Sequence, residues 1–287
     1  MAADRAINKH LTRSALQQAP QTKEDAGSKV MRLAVCSGNR RRVFLALNQG
    51  TKTLGTLRDE LHSDSATIVH SLRELERYRL VEQDEQRDYA LTVTGKALAQ
   101  NVIDCLDLAH VLTSHEAFWF EHDVSGIPDY LFSRVGLLRD STLVADAQWQ
   151  ILKGLRTVAA LAQEAQLLEI ITPFYSLEVI DRLEVFASKD KRWHIIVTEE
   201  VLQHAIKDEE HPYVKALLNG RANLRVVRHD PKLFFVSTGD AVALALSNAN
   251  GQLDYSTLLT SRGSGAVTWG QELFRYYREQ SERVSCS

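Results

Sequence analysis

Leu57-Arg58-Asp59-Glu60-Leu61-His62-Ser63-Asp64-Ser65-Ala66-Thr67-Ile68-Val69-His70-Ser71-Leu72-Arg73-Glu74-Leu75 is the stretch on which the fold turns. Leu54, Leu57 and Leu61 share one face of a short helix. His62-Ser63-Asp64 then makes a tight turn, with Ser63 or Asp64 placed to cap the next helix. Ile68, Leu72 and Leu75 recur at i, i+4 and i+7, the buried stripe of that second helix, from about Ser65 to Tyr78. Downstream, Leu80-Val81-Glu82, the polar loop Gln83–Asp88 and Tyr89–Thr92 read as a hairpin. A long helix over about Lys96–Leu112 comes after it. Upstream, Val30, Leu33 and Ala34, a Gly38-Asn39 break, and Val43, Phe44, Leu45 and Leu47 have helical spacing. Helix, helix, turn, helix and hairpin in this order make a winged helix-turn-helix, whose third helix stays half exposed and fits a groove roughly 12 Å wide.

Working outward, 287 residues, 44% hydrophobic and 25% charged, predict two soluble domains. The expected division is a flexible tail at 1–27, the winged helix at 28–95, a linking or dimerising helix at 96–114 and an α/β effector or signalling domain at 115–287. The helix stripe Val102, Leu106, Ala109 and Leu112 suits pairing of two copies. After Leu112, strand-like runs at Thr142–Ala145, Leu168–Thr172, Trp193–Thr198, Leu224–Val227, Leu233–Ser237 and Ala241–Leu246 alternate with helical ones. The helical runs are Asp129–Val135, Gln148–Gln166, Leu177–Lys189, Glu199–Lys207, Tyr213–Leu218 and Ala266–Arg283. This alternation predicts a mostly parallel sheet with antiparallel strands near its end. The fold class is therefore α+β overall. Three cysteines without a CxxC spacing, no apolar membrane-length run and a polar N-terminus point to the cytoplasm.

The net charge of −3 excludes a chain that binds nucleic acid by bulk charge, so DNA contact must be local. The candidates are Ser65, Thr67, His70, Ser71, Arg73 and Arg77 on the face of the second helix opposite its stripe. Hydroxyls and histidine suit base edges and phosphates, and arginine suits guanine or phosphate. Arg40, Arg41 and Arg42 could meet the backbone, as could Arg87 in the wing. Between Gly38 and Gly95, nine cations face nine anions, and the wing is acidic apart from Arg87. Affinity grows with the phosphates neutralised, so a homodimer that doubles a small contact set is expected on double-stranded DNA. Thr172, Pro173, Thr198 and Glu199, at strand C-termini, are candidates for binding a small effector. Nothing calls for a cofactor.

The segment Ser65–Glu76 resembles the recognition helix of winged-helix regulators of the ArsR type. Glu121-His122-Asp123-Val124-Ser125-Gly126-Ile127-Pro128 with Leu131, Arg134 and Gly136-Leu137-Leu138 is similar to the archaeal methanogenesis-regulator (Fil-type) middle-domain family. The likeness continues at Ile171-Thr172-Pro173, Val197–Leu202 and Trp269-Gly270-Gln271-Glu272-Leu273-Phe274-Arg275-Tyr276-Tyr277-Arg278. The resemblance implies transcription control by a winged helix joined to an effector domain. The second half also resembles the phospholipase D-like fold. Catalysis there needs His-x-Lys, whereas His229-Asp230-Pro231-Lys232 is spaced differently and no other histidine supplies the pattern, so no enzyme is expected.

Two rivals keep a place. Asp104, Cys105, Asp107, His110, His115, Glu116, His122 and Asp123 fall within twenty residues, which would suit a metal-responsive repressor; none has a strong ligand spacing, and solvated positions explain them more cheaply. An enzyme using its winged helix for protein contact is the other. Arg262-Gly263-Ser264-Gly265 resembles a phosphate loop only superficially, since no strand is expected before it.

Overall fold

A computed structural model describes residues 25–146, 153–177, 192–218 and 222–284. The chain divides into two compact units, with the boundary between Ile103 and Asp104. Most of the expected tail and most of the expected helix Leu177–Lys189 lie outside the described residues, as does the start of the helix expected from Gln148.

The N-terminal unit holds α1 (Ala26–Val35), α2 (Gly38–Leu47), α3 (Leu54–Leu61), α4 (Ser65–Arg77), the hairpin β1 (Val81–Gln83) and β2 (Tyr89–Leu91), and the first half of α5 (Val93–Ser114). Thr53 caps α3 by accepting from the Thr56 amide. His62, at φ 49°, ends α3 in the left-handed conformation that reverses the chain. Asp64 then caps α4, accepting the Thr67 amide at 2.9 Å and the Thr67 hydroxyl at 2.7 Å. Phe44, Leu57, Ile68, Leu72 and Leu75 are almost completely buried, as the 3.6-residue spacing requires.

In the hairpin, Val81 pairs with Leu91 and Gln83 with Tyr89. Lys52 bridges to β2 as well, exchanging both backbone hydrogen bonds with Tyr89 at 2.9 Å. Thr92 caps α5 through the Gly95 amide and donates its hydroxyl to the Arg79 carbonyl at 2.7 Å, so the end of the wing is tied to the end of α4. A Cβ on Gly95 would sit 2.0 Å from the Leu80 carbonyl oxygen, which leaves room for glycine only.

The C-terminal unit begins within α5 and adds α6 (Glu116–Phe120), β3 (His122–Asp123), α7 (Asp129–Phe132), β4 (Thr142–Ala145), α8 (Lys153–Glu164), β5 (Leu167–Thr172) and β6 (Arg192–Thr198). Then come α9 (Glu199–Lys207), α10 (Pro212–Ala216), β7 (Asn223–Val227), β8 (Leu233–Ser237), β9 (Val242–Asn248), β10 (Thr257–Ser261), α11 (Ser264–Glu279) and β11 (Glu282–Arg283). The sheet order is β11-β7-β6-β5-β8-β9-β10-β4, with β3 beside β9.

The expectation of a mostly parallel sheet is corrected. Among the described strands only β5, β6 and β7 run parallel, and the remaining neighbours pair antiparallel. Short turns join β8 to β9 and β9 to β10, too short for the crossover that a parallel pair needs. A strand does precede Arg262, namely β10, whose partners β9 and β4 flank it on both sides. The alternation expected for half-buried strands is missing in β8 and β9 because both their faces are covered. On one face, Ile171, Ile196, Phe235 and Leu244 pack with Trp269, Leu273 and Phe274 of α11. On the other, Ile170, Ile195, Phe234 and Ala243 pack with Val158, Leu161 and Val201.

Candidate nucleic-acid interface

On α4 the core stripe fixes what the opposite face presents. Ala66, His70, Arg73 and Arg77, spaced by four, three and four residues, are all exposed. His70, Arg73 and Arg77 make no hydrogen bond or ion pair with other described residues. Ser65 is exposed at the first turn. One of the expected residues, Ser71, is corrected, and another, Thr67, has its proton already placed. Ser71 is 4% exposed and donates its hydroxyl to the Thr67 carbonyl at 2.9 Å. It lies on the core side of the wheel, one residue before Leu72, and cannot reach a groove. The Thr67 hydroxyl is already given to the Asp64 carboxylate, held at 2.7 Å. That bond and the Thr67 amide lower the Asp64 pKa, the amide being the stronger influence. Ala66 carries no polar atom and was missed for that reason; its place on the wheel was the available signal.

Two members of the arginine triplet also bond within the unit. Arg41 donates to the Val35 carbonyl at 3.1 Å and Arg42 to the Leu61 carbonyl at 2.6 Å. Val35 and Leu61 close α1 and α3, whose last carbonyls lack helical donors and attract cations. Both arginines therefore clip helix ends with one donor each, which orients them and leaves their other N–H groups, those of the exposed Arg42 above all, for further contacts. Arg40 instead lines an open groove of about 480 Å³ with Lys29, Arg32, Ser37, Glu74 and Tyr78. In the wing, Arg87 is exposed at φ 68°, turning the loop between Asp84 and Asp88.

In the C-terminal unit, Thr172 at the end of β5 stands one strand from the end of β6, where Thr198 and Glu199 lie. Four expected effector residues thus share one edge, but two hydroxyls are occupied. Thr172 donates to the Phe174 carbonyl at 2.9 Å, and Thr198 caps α9 by accepting from the Val201 amide at 3.3 Å. Pro173 is half-buried and Glu199 exposed.

Further along that edge, Lys232 (φ 53°) places its ammonium 2.7 Å from Asp123 and 3.1 Å from the Ser125 hydroxyl. The Lys232 hydrogen bond, helped by Ser125, holds Asp123 down to about 2. The His122 imidazole lies between the Phe118 carbonyl at 3.0 Å and the Asp254 carboxylate at 3.2 Å. The buried Tyr277 hydroxyl donates to the Gly126 carbonyl at 2.6 Å and lies 3.2 Å from the Pro231 carbonyl. The His229 ring lies tilted beside Tyr277, with ring centres 6.0 Å apart, while Lys232 turns to Asp123.

The residues weighed as metal ligands are similarly engaged. Asp107 pairs with Arg139 at 2.6 Å, and His115 reaches Ser141 at 3.1 Å. Among the described residues no three histidine, cysteine or acidic side chains come together as a metal site. No helix among them is long and apolar enough to cross a membrane. Of the stripe Val102, Leu106, Ala109 and Leu112, Val102 is 1% exposed and Leu112 packs on the C-terminal unit's core, whereas Leu106 is half-buried and Ala109 exposed.

A row of polar side chains that sequence reading passed over crosses the α11 face of the sheet. Asn223, His194, Glu169 and Ser237 stand in register on β7, β6, β5 and β8. The buried atoms Asn223 Oδ1, His194 Nδ1 and Ser237 Oγ have no hydrogen-bond partner among the described residues. Burial raises the pKa of Glu169 and lowers that of His194.

Comparison with known proteins joins these units to one family. The description "Methanogenesis regulatory protein FilR1, N-terminal domain" matches residues 28–109, and "Methanogenesis regulatory protein FilR1, middle domain" matches residues 152–280. The chain belongs to the methanogenesis regulatory protein FilR1 family. A FilR1 relative from Methanothrix harundinacea (strain 6Ac) is 24% identical over 246 residues, an alignment taking in 84% of this chain and 55% of the relative. The chain thus spans about half the length of that FilR1 relative. Among solved structures, the archaeal chromatin protein TrmBL2, described with a novel mode of DNA binding, is 15% identical at a TM-score of 0.40 and covers 86% of this chain and 94% of its own. The phospholipase D family member Nuc from Salmonella typhimurium is 9% identical at a TM-score of 0.36, over 50% of this chain and 98% of its own.

Proposed function

We propose that this FilR1-family chain regulates transcription by binding double-stranded DNA with the exposed face of α4, with no catalytic step of its own. The observation that carries the proposal is the stripe Ala66, His70, Arg73 and Arg77, which lies opposite a fully buried core and leaves three polar side chains without partners among the described residues. Ser65 flanks it, and Arg40, Arg87 and the exposed Arg42 are further cations for phosphates outside α4. With so few cations, two copies on one site supply the affinity that one lacks. The C-terminal unit senses a small effector or partner at the edge that holds Thr172, Pro173, Thr198 and Glu199. Against an enzyme stands the commitment of Lys232 to Asp123 and Ser125.

Genome-wide DNA occupancy of the whole chain, compared with a His70→Ala/Arg73→Ala variant, tests this. The variant is expected to lose its specific sites while folding normally. Equal occupancy by both proteins would remove α4 as the reader.

A further inference from the structure

On the reading that α4 enters DNA, the distribution of chemistry along its exposed stripe says what it reads. The stripe is not uniform. Its N-terminal end is apolar: Ala66 is exposed, Val69 is half-buried on its flank, and the neighbouring Thr67 hydroxyl is turned back onto Asp64. Its C-terminal end is cationic, with Arg73 and Arg77 one helical turn apart and unpaired among the described residues. His70 separates the two ends.

We infer that the half-site of this protein carries a thymine read by Ala66 and a guanine read by Arg73, about three base pairs apart. A small apolar side chain offers a groove nothing but van der Waals contact, and the thymine C5-methyl is the major-groove feature recognised that way. Guanine presents O6 and N7 as adjacent acceptors, which match the guanidinium fork of Arg73. Seven residues separate Ala66 from Arg73, a rise of about 10 Å along the helix, and three base-pair steps cover about the same length. Helices of this class place their N-terminal residues deepest among the bases, which puts Arg77, one turn beyond Arg73, at the phosphates. Neither the Thr67 nor the Ser71 hydroxyl donates to a base, because Asp64 and the Thr67 carbonyl take their protons.

Selection of duplexes from a random library by the whole chain tests the inference, with affinity then measured on altered bases. Wild-type protein is expected to select a thymine and a guanine at that spacing. Replacing the thymine by deoxyuridine, which removes only the methyl, is expected to weaken binding about threefold. Replacing the guanine by 7-deazaguanine is expected to weaken it about tenfold. Arg73→Ala is expected to abolish the guanine preference and keep the thymine preference. Arg77→Ala is expected to weaken all duplexes alike and to reduce the salt dependence by about one ion. Tight binding to a site lacking the spaced pair, or an unchanged guanine preference in Arg73→Ala, would overturn the inference while leaving DNA binding intact. No binding to any duplex would overturn both.

Discussion

On α4, His70, Arg73 and Arg77 end in solvent without a partner among the described residues, whereas at the edge of the C-terminal sheet Thr172, Thr198, His122, Asp123 and Lys232 each end on another group of the same unit. Both sets are polar, and both sit where ligands bind in their fold types. The difference lies in what the backbone leaves undone. A helix interior satisfies its own amides and carbonyls, so its outward side chains are free. A sheet edge is made of strand ends and helix starts, whose open donors and acceptors recruit nearby hydroxyls and carboxylates. A partner for α4 meets unused groups; a ligand for the sheet edge must displace internal bonds.

The sharpest way to break that comparison is to disturb the backbone junction behind each surface. A Cβ on Gly95 would lie 2.0 Å from the Leu80 carbonyl oxygen, and one on Gly126 would lie 2.0 Å from the Pro231 carbonyl oxygen. Backbone atoms cannot step aside as a side-chain end can. Gly95→Ala and Gly126→Ala are each expected to cost about 1–3 kcal/mol or more. Hydrogen exchange checks it: Gly95→Ala should open amides between Leu80 and Thr92, and Gly126→Ala those around His122–Ile127 and Leu233. Unchanged protection in either variant would show that the junction yields without loss.

A smaller effect separates the free set from the tied one. Arg73→Ala and Arg77→Ala should leave thermal stability within about 0.5 kcal/mol, as expected of surface positions without partners. Asp123→Asn should lower it, by up to about 1 kcal/mol because its partner Lys232 is 42% exposed. The pH dependence carries the sign. Asp123 is held below its ordinary 3.8, to about 2, so its ion pair stabilises the fold above pH 3.8 and is lost as pH falls through about 2. The gap between wild type and Asp123→Asn should therefore close in acid. A gap constant from pH 2 to 7 would assign the effect to packing.

The sequence made the N-terminal unit legible because its helices are amphipathic and its turn residues are local. Leu57, Ile68, Leu72 and Leu75 announce their burial by spacing, and position narrows the cap to Ser63 or Asp64, of which Asp64 makes it. The fate of Ser71 was legible too, since it sits between the stripe residues Ile68 and Leu72. What spacing could not show was the use of Arg41 and Arg42. Their partners, Val35 and Leu61, are backbone carbonyls 6 and 19 residues away, and no side-chain pattern marks them. In the C-terminal unit the strands were found but not their direction, because β8 and β9 are buried on both faces and look like parallel strands. The clasp between Asp123 and Lys232 spans 109 residues, which only the fold brings together.

The smallest expected effect concerns the polar row inside the C-terminal unit, where buried groups in register lack, among the described residues, the ties found at the sheet edge. Burial raises Glu169 above its ordinary 4.5, while the positive charges of Arg278 and Arg275 oppose the shift. Between 4.5 and its raised value, the unfolded chain has released the proton that the folded chain still holds. Stability from this group is therefore present below pH 4.5 and lost as pH rises through the folded value. Glu169→Gln keeps the shape and removes the charge. It should raise stability at pH 7.5 by about 1 kcal/mol, the ordinary size of a single-site change, and make no difference at pH 4. His194, in register beside it, is lowered below 6.5 and acts in the opposite sense, so its contribution is lost as pH falls. Calorimetry of wild type and Glu169→Gln at the two pH values isolates the glutamate, because His194 is common to both. If the variant is less stable than wild type at pH 7.5, the ionised carboxylate has a partner in the row after all, and the contrast between free helix groups and tied sheet groups would extend to every polar group of the unit.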